Sequence, residues 1–302
     1  MRILVTGREG QVARSLIERA SGRDIEIVTL GRPQLDLAGP AEAIIAAVDA
    51  AHPEAIVSAA AYTQVDKAES EPELAFAVNE RGAAAVARAA SRLGVPLIHL
   101  STDYVFDGTK AEPYVEEDPP RPMGAYGASK FAGEKAVLAE HGDCAVLRTA
   151  WVYSPFGANF VKTMLRLAET RDVVSVVADQ RGNPTSALDI ADAVLSVGEN
   201  LSARRGPELR GIFHMTAPGE ATWAELAQAV FEASAGAGGS AARVNRISSA
   251  DYPTAAKRPA NSRLNCSRLE REYGVRLPDW RKSLQGVVDR VVHSGAPGAA
   301  SR

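Results

Sequence analysis

The chain has 302 residues, enough for one large lobe and a smaller one. Its formal net charge of -3 and pI near 6.0 give no basic field for nucleic acid. No segment is long and apolar enough to span a bilayer, and the opening Met1-Arg2-Ile3-Leu4-Val5-Thr6-Gly7 lacks a signal-peptide core. Cys144 in an apolar run and Cys266 in a polar one form no disulfide framework, so a cytoplasmic location without membrane or nucleic-acid partners is expected.

In chain order, Arg2-Ile3-Leu4-Val5-Thr6 reads as a short buried strand, and Gly7-Arg8-Glu9-Gly10-Gln11-Val12-Ala13 turns directly into a helix running to about residue 20. Glycines there let backbone approach a pyrophosphate, and the helix N-terminus supplies free N–H groups and a favourable dipole. Gly7, Gly10, Gln11 and Val12 are therefore candidate dinucleotide contacts, with Ala13 standing where a third glycine is common. The second strand, 25–30, ends in Thr29-Leu30-Gly31-Arg32 with no carboxylate for a ribose 2′-hydroxyl. Arg32 can instead meet a 2′-phosphate, which predicts NADPH as the preferred cofactor with NADH still used.

Further strands are predicted at 55–60, 96–101, 144–150, 173–177 and 211–216, with helices between them. The Ala-rich, amphipathic stretch 73–93 ends at Gly94-Val95-Pro96, where glycine stops the helix and proline opens a strand. The alternation predicts an α/β fold: a Rossmann-like, doubly wound parallel sheet with a smaller C-terminal α/β lobe. Residues 234–242 read as a surface loop and 294–302 as a disordered tail. The five histidines show no metal-ligand spacing, and His99, inside Pro96-Leu97-Ile98-His99-Leu100, reads as a packed core residue.

Ligands of an open parallel sheet gather on the loops after its strands. Ala59-Ala60-Ala61-Tyr62-Thr63 offers small residues under a flat cofactor, and Ser101-Thr102-Asp103-Tyr104-Val105-Phe106 places a hydroxyl at a strand end. In Tyr126-Gly127-Ala128-Ser129-Lys130 the phenol and ammonium lie about one helical turn apart. The ammonium can ease formation of a phenolate and hold a ribose, while the phenol gives a proton to a carbonyl. The loop Pro119-Pro120-Arg121-Pro122 returns this helix to the edge that carries Thr102.

With Arg148-Thr149-Ala150-Trp151-Val152-Tyr153, Asp179-Gln180-Arg181-Gly182-Asn183-Pro184-Thr185, Arg258-Pro259-Ala260-Asn261-Ser262-Arg263-Leu264 and Val65-Asp66-Lys67-Ala68-Glu69-Ser70-Glu71-Pro72, these motifs resemble the dTDP-4-dehydrorhamnose reductase family of extended short-chain dehydrogenases. The likeness continues to Leu277-Pro278-Asp279-Trp280 and so covers nearly the whole chain. It implies NAD(P)H-dependent reduction of the C4 ketone of dTDP-4-dehydro-β-L-rhamnose. Thr102, Tyr126 and Lys130 would be catalytic, with Lys130 depressing the phenol's pKa. Arg32, Asp36, Leu37, Ala59, Ala60 and Ala61 would border the cofactor. Val65, Asp103, Tyr104, Trp151, Arg258 and Asn261 would serve the sugar nucleotide, Trp151 by stacking on the hexose and Arg258 at the diphosphate.

The resemblance further implies a dinucleotide domain at 1–148 to which 173–212 returns, and a substrate lobe at 149–172 and 213–293. Metal-bridged homodimers of this family hold Mg²⁺ with glutamates, but Ser15 and Leu188 stand at the corresponding positions and Asp189 is one residue off. A monomer or weak, metal-independent homodimer without a Mg²⁺ requirement is expected. Two alternatives stay open. One is a 4-ketoreductase for another dTDP-deoxysugar in an antibiotic pathway. The other is a non-catalytic dinucleotide-binding regulatory subunit, as in methionine adenosyltransferase. A dehydratase is disfavoured, because Thr102-Asp103-Tyr104 supplies one carboxylate where an acid and a base are needed.

Overall fold

The computed structural model describes residues 1–295. Its first half alternates β1 (Arg2–Thr6), α1 (Gln11–Ala20), β2 (Glu26–Leu30), α2 (Ala41–Ala50), β3 (Ala55–Ser58), the short α3 (Val65–Ala68) and α4 (Pro72–Phe76), then α5 (Ala83–Leu93), β4 (Leu97–Thr102), α6 (Ala125–Glu140) and β5 (Cys144–Thr149). The second half contains β6 (Val152–Tyr153), α7 (Phe160–Ala168), β7 (Val173–Val177), β8 (Arg181–Gly182), β9 (Thr185–Ser186) and α8 (Ala187–Ala203). It closes with β10 (Gly211–His214), β11 (Ala221–Thr222), α9 (Trp223–Gly236), β12 (Arg243–Ile247), α10 (Ser267–Tyr273) and α11 (Trp280–Gly295).

Six strands form one parallel sheet in the order β10-β5-β4-β3-β1-β2. Every residue of β3, β4 and β5 is buried, as expected of strands covered on both faces. On one face α1 and α8 pack together over Val5, Ile98 and Leu147; on the other, α2, α5 and α6 cover Leu4, Ile56 and Val146. The strand order reverses between β1 and β3, which puts a crevice at their carboxyl ends. Gly94 ends α5 with φ 66°, the left-handed cap that glycine adopts most readily.

The predicted helix 73–93 forms, with one interruption: residues Ala77–Gly82 make a π-turn between α4 and α5. Asn79, on that turn, is buried; it accepts from Tyr62 N at 2.8 Å and donates to Tyr62 O and Ser129 Oγ.

The later strands depart from the expected partition. β7, placed with the dinucleotide domain by sequence, instead pairs in parallel with β12 in a separate two-stranded sheet. Its residues alternate exposed and buried, a pattern suited to a sheet with one covered face. β10, half of which was expected in the substrate lobe, pairs with β5 and completes the main sheet, while α8 packs on α1. The loop expected at 234–242 begins later, because α9 continues to Gly236: its alanines favour helix despite the Gly- and Ser-rich composition. Ser294 belongs to α11, and residues 296–302 of the expected tail lie outside the described residues.

Candidate active site

The glycine turn lies at the crevice between β1 and β3. Gly7 has φ 95°, and a Cβ there would sit 3.4 Å from the Cβ of Ala60. Thr6 Oγ1 accepts from the N–H groups of both Ala59 and Ala60 at 3.0 Å, pinning the end of β3 against the turn. Gly10 precedes α1 with no side chain capping the helix, and the space around its Cα is open. An uncapped N-terminus beside small residues fits a dinucleotide pyrophosphate. The Gln11 side chain serves packing rather than an open site: its Oε1 accepts from Ser154 Oγ at 2.8 Å and Asn159 Nδ2 at 3.0 Å. Val12 lies against the core, and Leu37, expected beside the adenine, turns into the core with Ile44 and Ile45. Asp36 remains exposed, its Oδ1 accepting from Ala38 N. Ala61 follows Ala60 on the same loop and is half-buried.

Thr102 ends β4, and Tyr126 and Lys130 lie on the first turns of α6. Close approach of this helix depends on small residues. A Cβ on Gly127 would collide with Tyr104 O, and one on Gly133 with Asn79 O. Burial pushes the Tyr126 phenol up to about 12, with hydrogen bonding to Thr102 acting in the opposite direction. The phenol is thus a proton donor at neutral pH.

Lys130 is 3% exposed; burial lowers its pKa to about 8, against a smaller raising effect from Glu134. Its ammonium donates to Leu100 O at 2.6 Å and lies 3.5 Å from His99 Nε2, whose Nδ1 meets Ser58 Oγ at 3.1 Å. Instead of the expected depression, burial raises the phenol's pKa, and the Lys130 ammonium is turned toward β4. His99 is buried as expected, yet it has polar neighbours on both ring nitrogens.

Asp103 is 2% exposed, and burial raises its carboxyl to about 6. Oδ1 accepts from Thr102 Oγ1 at 3.0 Å, while Oδ2 is buried without a hydrogen-bond partner among the described residues. Ser262, from the C-terminal part of the chain, works against this rise, while its Oγ donates to Arg181 O at 3.4 Å. Behind the pair, Glu134 receives two hydrogen bonds from Arg148, at 2.9 and 2.7 Å, and one from Ser101 Oγ. Both members of that ion pair are 1% exposed.

Val65, Tyr104, Met123, Tyr126 and Pro259 line one small pocket, with Tyr104 edge-on to Tyr126 at 5.6 Å. A larger cavity, lined by Thr216, Glu220, Arg263, Cys266 and Leu277, holds none of the expected site residues. Trp151 has a left-handed backbone, φ 47°, and stacks on Trp223 with ring centroids 3.6 Å apart and planes at 5°. A Cβ at Gly182 would strike its indole, so Trp151 is packed against Gly182 as well as Trp223.

Two expected substrate residues are engaged elsewhere. Arg258 forms a two-pronged pair with Asp66, at 2.6 and 3.1 Å, and also donates to Thr254 and Ala256. Asn261 donates to Lys110 O and Glu112 O and accepts from Arg263. Both are ordering contacts in the C-terminal strap rather than open donors. Trp223, Asn79 and Ser262 were not singled out from sequence. Trp223 directly after Ala221-Thr222 could have been flagged, since Thr222 and Glu225 form a capping box that fixes the start of α9 beside it.

A family model described as the RmlD substrate binding domain matches residues 1–293. A dTDP-4-dehydrorhamnose reductase of Sinorhizobium fredii is 54% identical over 288 residues, covering 95% of this chain and 97% of its own. A probable dTDP-4,6-dihydroxy-2-methyloxan-3-one 4-ketoreductase of Streptomyces antibioticus is 40% identical, covering 94% of each. The structure of a dTDP-4-dehydrorhamnose reductase from Bacillus anthracis in complex with NADP has a TM-score of 0.88 at 34% identity, covering 95% of this chain and 98% of that one.

Proposed function

This chain belongs to the family of the RmlD substrate binding domain, and from that membership we propose that it reduces the C4 ketone of dTDP-4-dehydro-β-L-rhamnose to give dTDP-β-L-rhamnose. The reduced nicotinamide cofactor, NADPH by preference, supplies the hydride when bound. What carries the reading is the gathering of Thr102, Tyr126 and Lys130 at the same sheet edge as the glycine turn.

Tyr126 gives its proton to the oxygen of the ketone as negative charge develops there. A phenolate left in this buried position is costly, since burial raises the phenol's pKa. Thr102 and the Lys130 ammonium must therefore support it, and Lys130 turns from Leu100 O toward the site to do so. Thr102 has one proton, which Asp103 Oδ1 now receives. Rotation of that hydroxyl away from Asp103 directs its proton to the ketone oxygen. Trp151 is the residue that would stack on the hexose, and Val65 and Tyr104 line the pocket that also contains Tyr126.

The decisive experiment supplies dTDP-4-dehydro-6-deoxyglucose, a 3,5-epimerase and NADPH, and identifies the product by NMR. The Streptomyces antibioticus relative favours a second reading, reduction of another dTDP-4-ketosugar, which a different product would reveal. Absence of product with every ketosugar would leave the regulatory-subunit reading.

The chain acts as a monomer or weak metal-independent dimer. Ser15 is fully buried, Asp189 accepts from Ser283, and Asp192 is held by Arg19 and Arg23, so these groups are already committed within one chain. Light scattering and turnover with and without EDTA test this: dissociation and lost activity on chelation would contradict it.

A further inference from the structure

A buried line of polar groups runs from the helix that bears Tyr126 into the sheet. Ile98 and Leu100 of β4 face α1 and α8, so the alternation of the strand turns His99 toward α6. There its Nε2 lies 3.5 Å from Lys130 Nζ, and its Nδ1 lies 3.1 Å from Ser58 Oγ at the end of β3. Ser58 and His99 are each 1% exposed and Lys130 3%, so the three answer to one another rather than to bulk water.

The count of protons fixes the direction of this line. An ammonium only donates, so His99 Nε2 must accept from it, and the single proton of a neutral imidazole is left on Nδ1 to be given to Ser58 Oγ. Burial, with the Lys130 charge adding to it, holds the ring's pKa well below its ordinary value and keeps it neutral. The opposite tautomer would point Nε2–H at the ammonium and suits only an uncharged amine.

We propose that His99 is a positioning residue: locked by Ser58 with its proton on Nδ1, it gives the Lys130 ammonium a second acceptor beside Leu100 O and holds it charged at the seam from which it turns to the cofactor's ribose. The proposal rests on the reductase reading for what Lys130 does once turned. A buried amine that loses an acceptor gives up its proton at lower pH. Lys130, lowered to about 8 by burial, has little margin above neutrality. The other groups nearby do not replace His99. Glu134, whose charge favours the ammonium, is shared with Arg148 of β5, and Asp103 acts on Tyr126. On the elements packed against α6, Arg88 pairs with Glu140, Asp66 with Arg258 and Lys67 with Glu71; Glu73 and Arg81 are exposed, and Glu80 is half-buried on the π-turn.

Two measurements on the whole chain test this. In NMR spectra of nitrogen-15 histidine recorded without cofactor at about pH 6.5, His99, identified by the signals missing from His99→Gln, should carry its proton on Nδ1 and should not titrate down to about pH 5.5. NADPH binding, followed by fluorescence at about pH 6.5 and about pH 8.5, compares wild type with His99→Phe, His99→Gln and Ser58→Ala, with circular dichroism confirming the fold. Relative to wild type at the same pH, His99→Phe should bind about fivefold more weakly at the higher pH and less than about twofold at the lower, the pattern of a lysine that holds its proton about tenfold less tightly. His99→Gln, whose Oε1 can accept from Lys130, should recover most of the loss, and Ser58→Ala should lose less than His99→Phe because Nε2 still accepts. In a Lys130→Ala background, His99→Phe should add no pH-dependent loss. A proton on Nε2 near pH 6.5, an equal loss at both pH values, or no loss at all would make His99 a packing residue and overturn the proposal. Failure of the reductase reading shows separately, as absence of a reduced sugar in the product assay while the tautomer and the pH pattern persist.

Discussion

Arg258 and Asp66, 192 positions apart, hold each other through two hydrogen bonds, and Ala256 N donates to the same carboxylate. This ties the strap around residues 254–259 to the start of α3, over the pocket of Tyr104 and Tyr126. Arg258 keeps the Asp66 carboxyl below its usual range, so the pair persists through neutral pH. Arg258→Ala should loosen the strap and raise KM for the sugar nucleotide by about tenfold, with a smaller fall in kcat, as loss of binding common to ground and transition states predicts. Steady-state kinetics decide it; an unchanged KM would make the pair a surface contact only.

Tyr126→Phe removes the proton donor and keeps the ring against Tyr104. Turnover should fall on the order of a hundredfold or more while cofactor affinity changes little. Lys130→Ala should reduce both. Near-full turnover in the Phe variant would refute the assigned chemistry.

Trp223→Ala takes the backing from Trp151, whose left-handed backbone depends on its surroundings. KM should rise by about tenfold, and Trp223→Phe should restore much of the loss, because a flat ring still supports the indole. Failure of Phe to rescue, with intact thermal stability, would remove the positioning role.

Asp103 has a raised pKa in the folded chain, so the folded state binds its proton more tightly than the unfolded one. Its contribution to stability is complete below the unfolded value of about 4 and is lost as pH rises through about 6. Relative to wild type, Asp103→Asn should therefore gain about 2–3 kcal/mol between pH 4 and pH 8. Urea denaturation at both pH values checks this; a difference independent of pH would contradict the burial argument.

Glu134→Gln leaves Arg148 charged in a fully buried position. A loss of about 3–5 kcal/mol in unfolding free energy is expected, since breaking one side of a buried pair strands the other. A loss under about 1 kcal/mol would show that water entering the site solvates the guanidinium and that the buried pair is not needed.

The placement of the candidate site was legible where it depends on local spacing. Thr102 at a strand end and Tyr126 one helical turn from Lys130 needed only periodicity to be found. The partners of Trp151 and Arg258 were not legible, because Trp223 and Asp66 reach them through topology that no local pattern encodes. The same holds for β7: its five residues read as a strand, but nothing in them says that β12 rather than the main sheet is their neighbour. Lys130's bond to Leu100 O was not legible either, because it depends on how α6 seats against β4.

The π-turn at Ala77–Gly82 makes the segment between α4 and α5 a phase shifter. Its extra residue rotates everything downstream by about 100° about the helix axis. That offset lets Asn79 face Tyr62 and Ser129 while Ala83, Val86 and Ala90 still meet the sheet. Deleting one residue here would change composition hardly at all and favour a regular helix. It would also swing the alanine face of α5 out of the core and carry Asn79 away from the helix that bears Tyr126 and Lys130. Length, in this stretch of chain, is as strictly specified as side-chain identity.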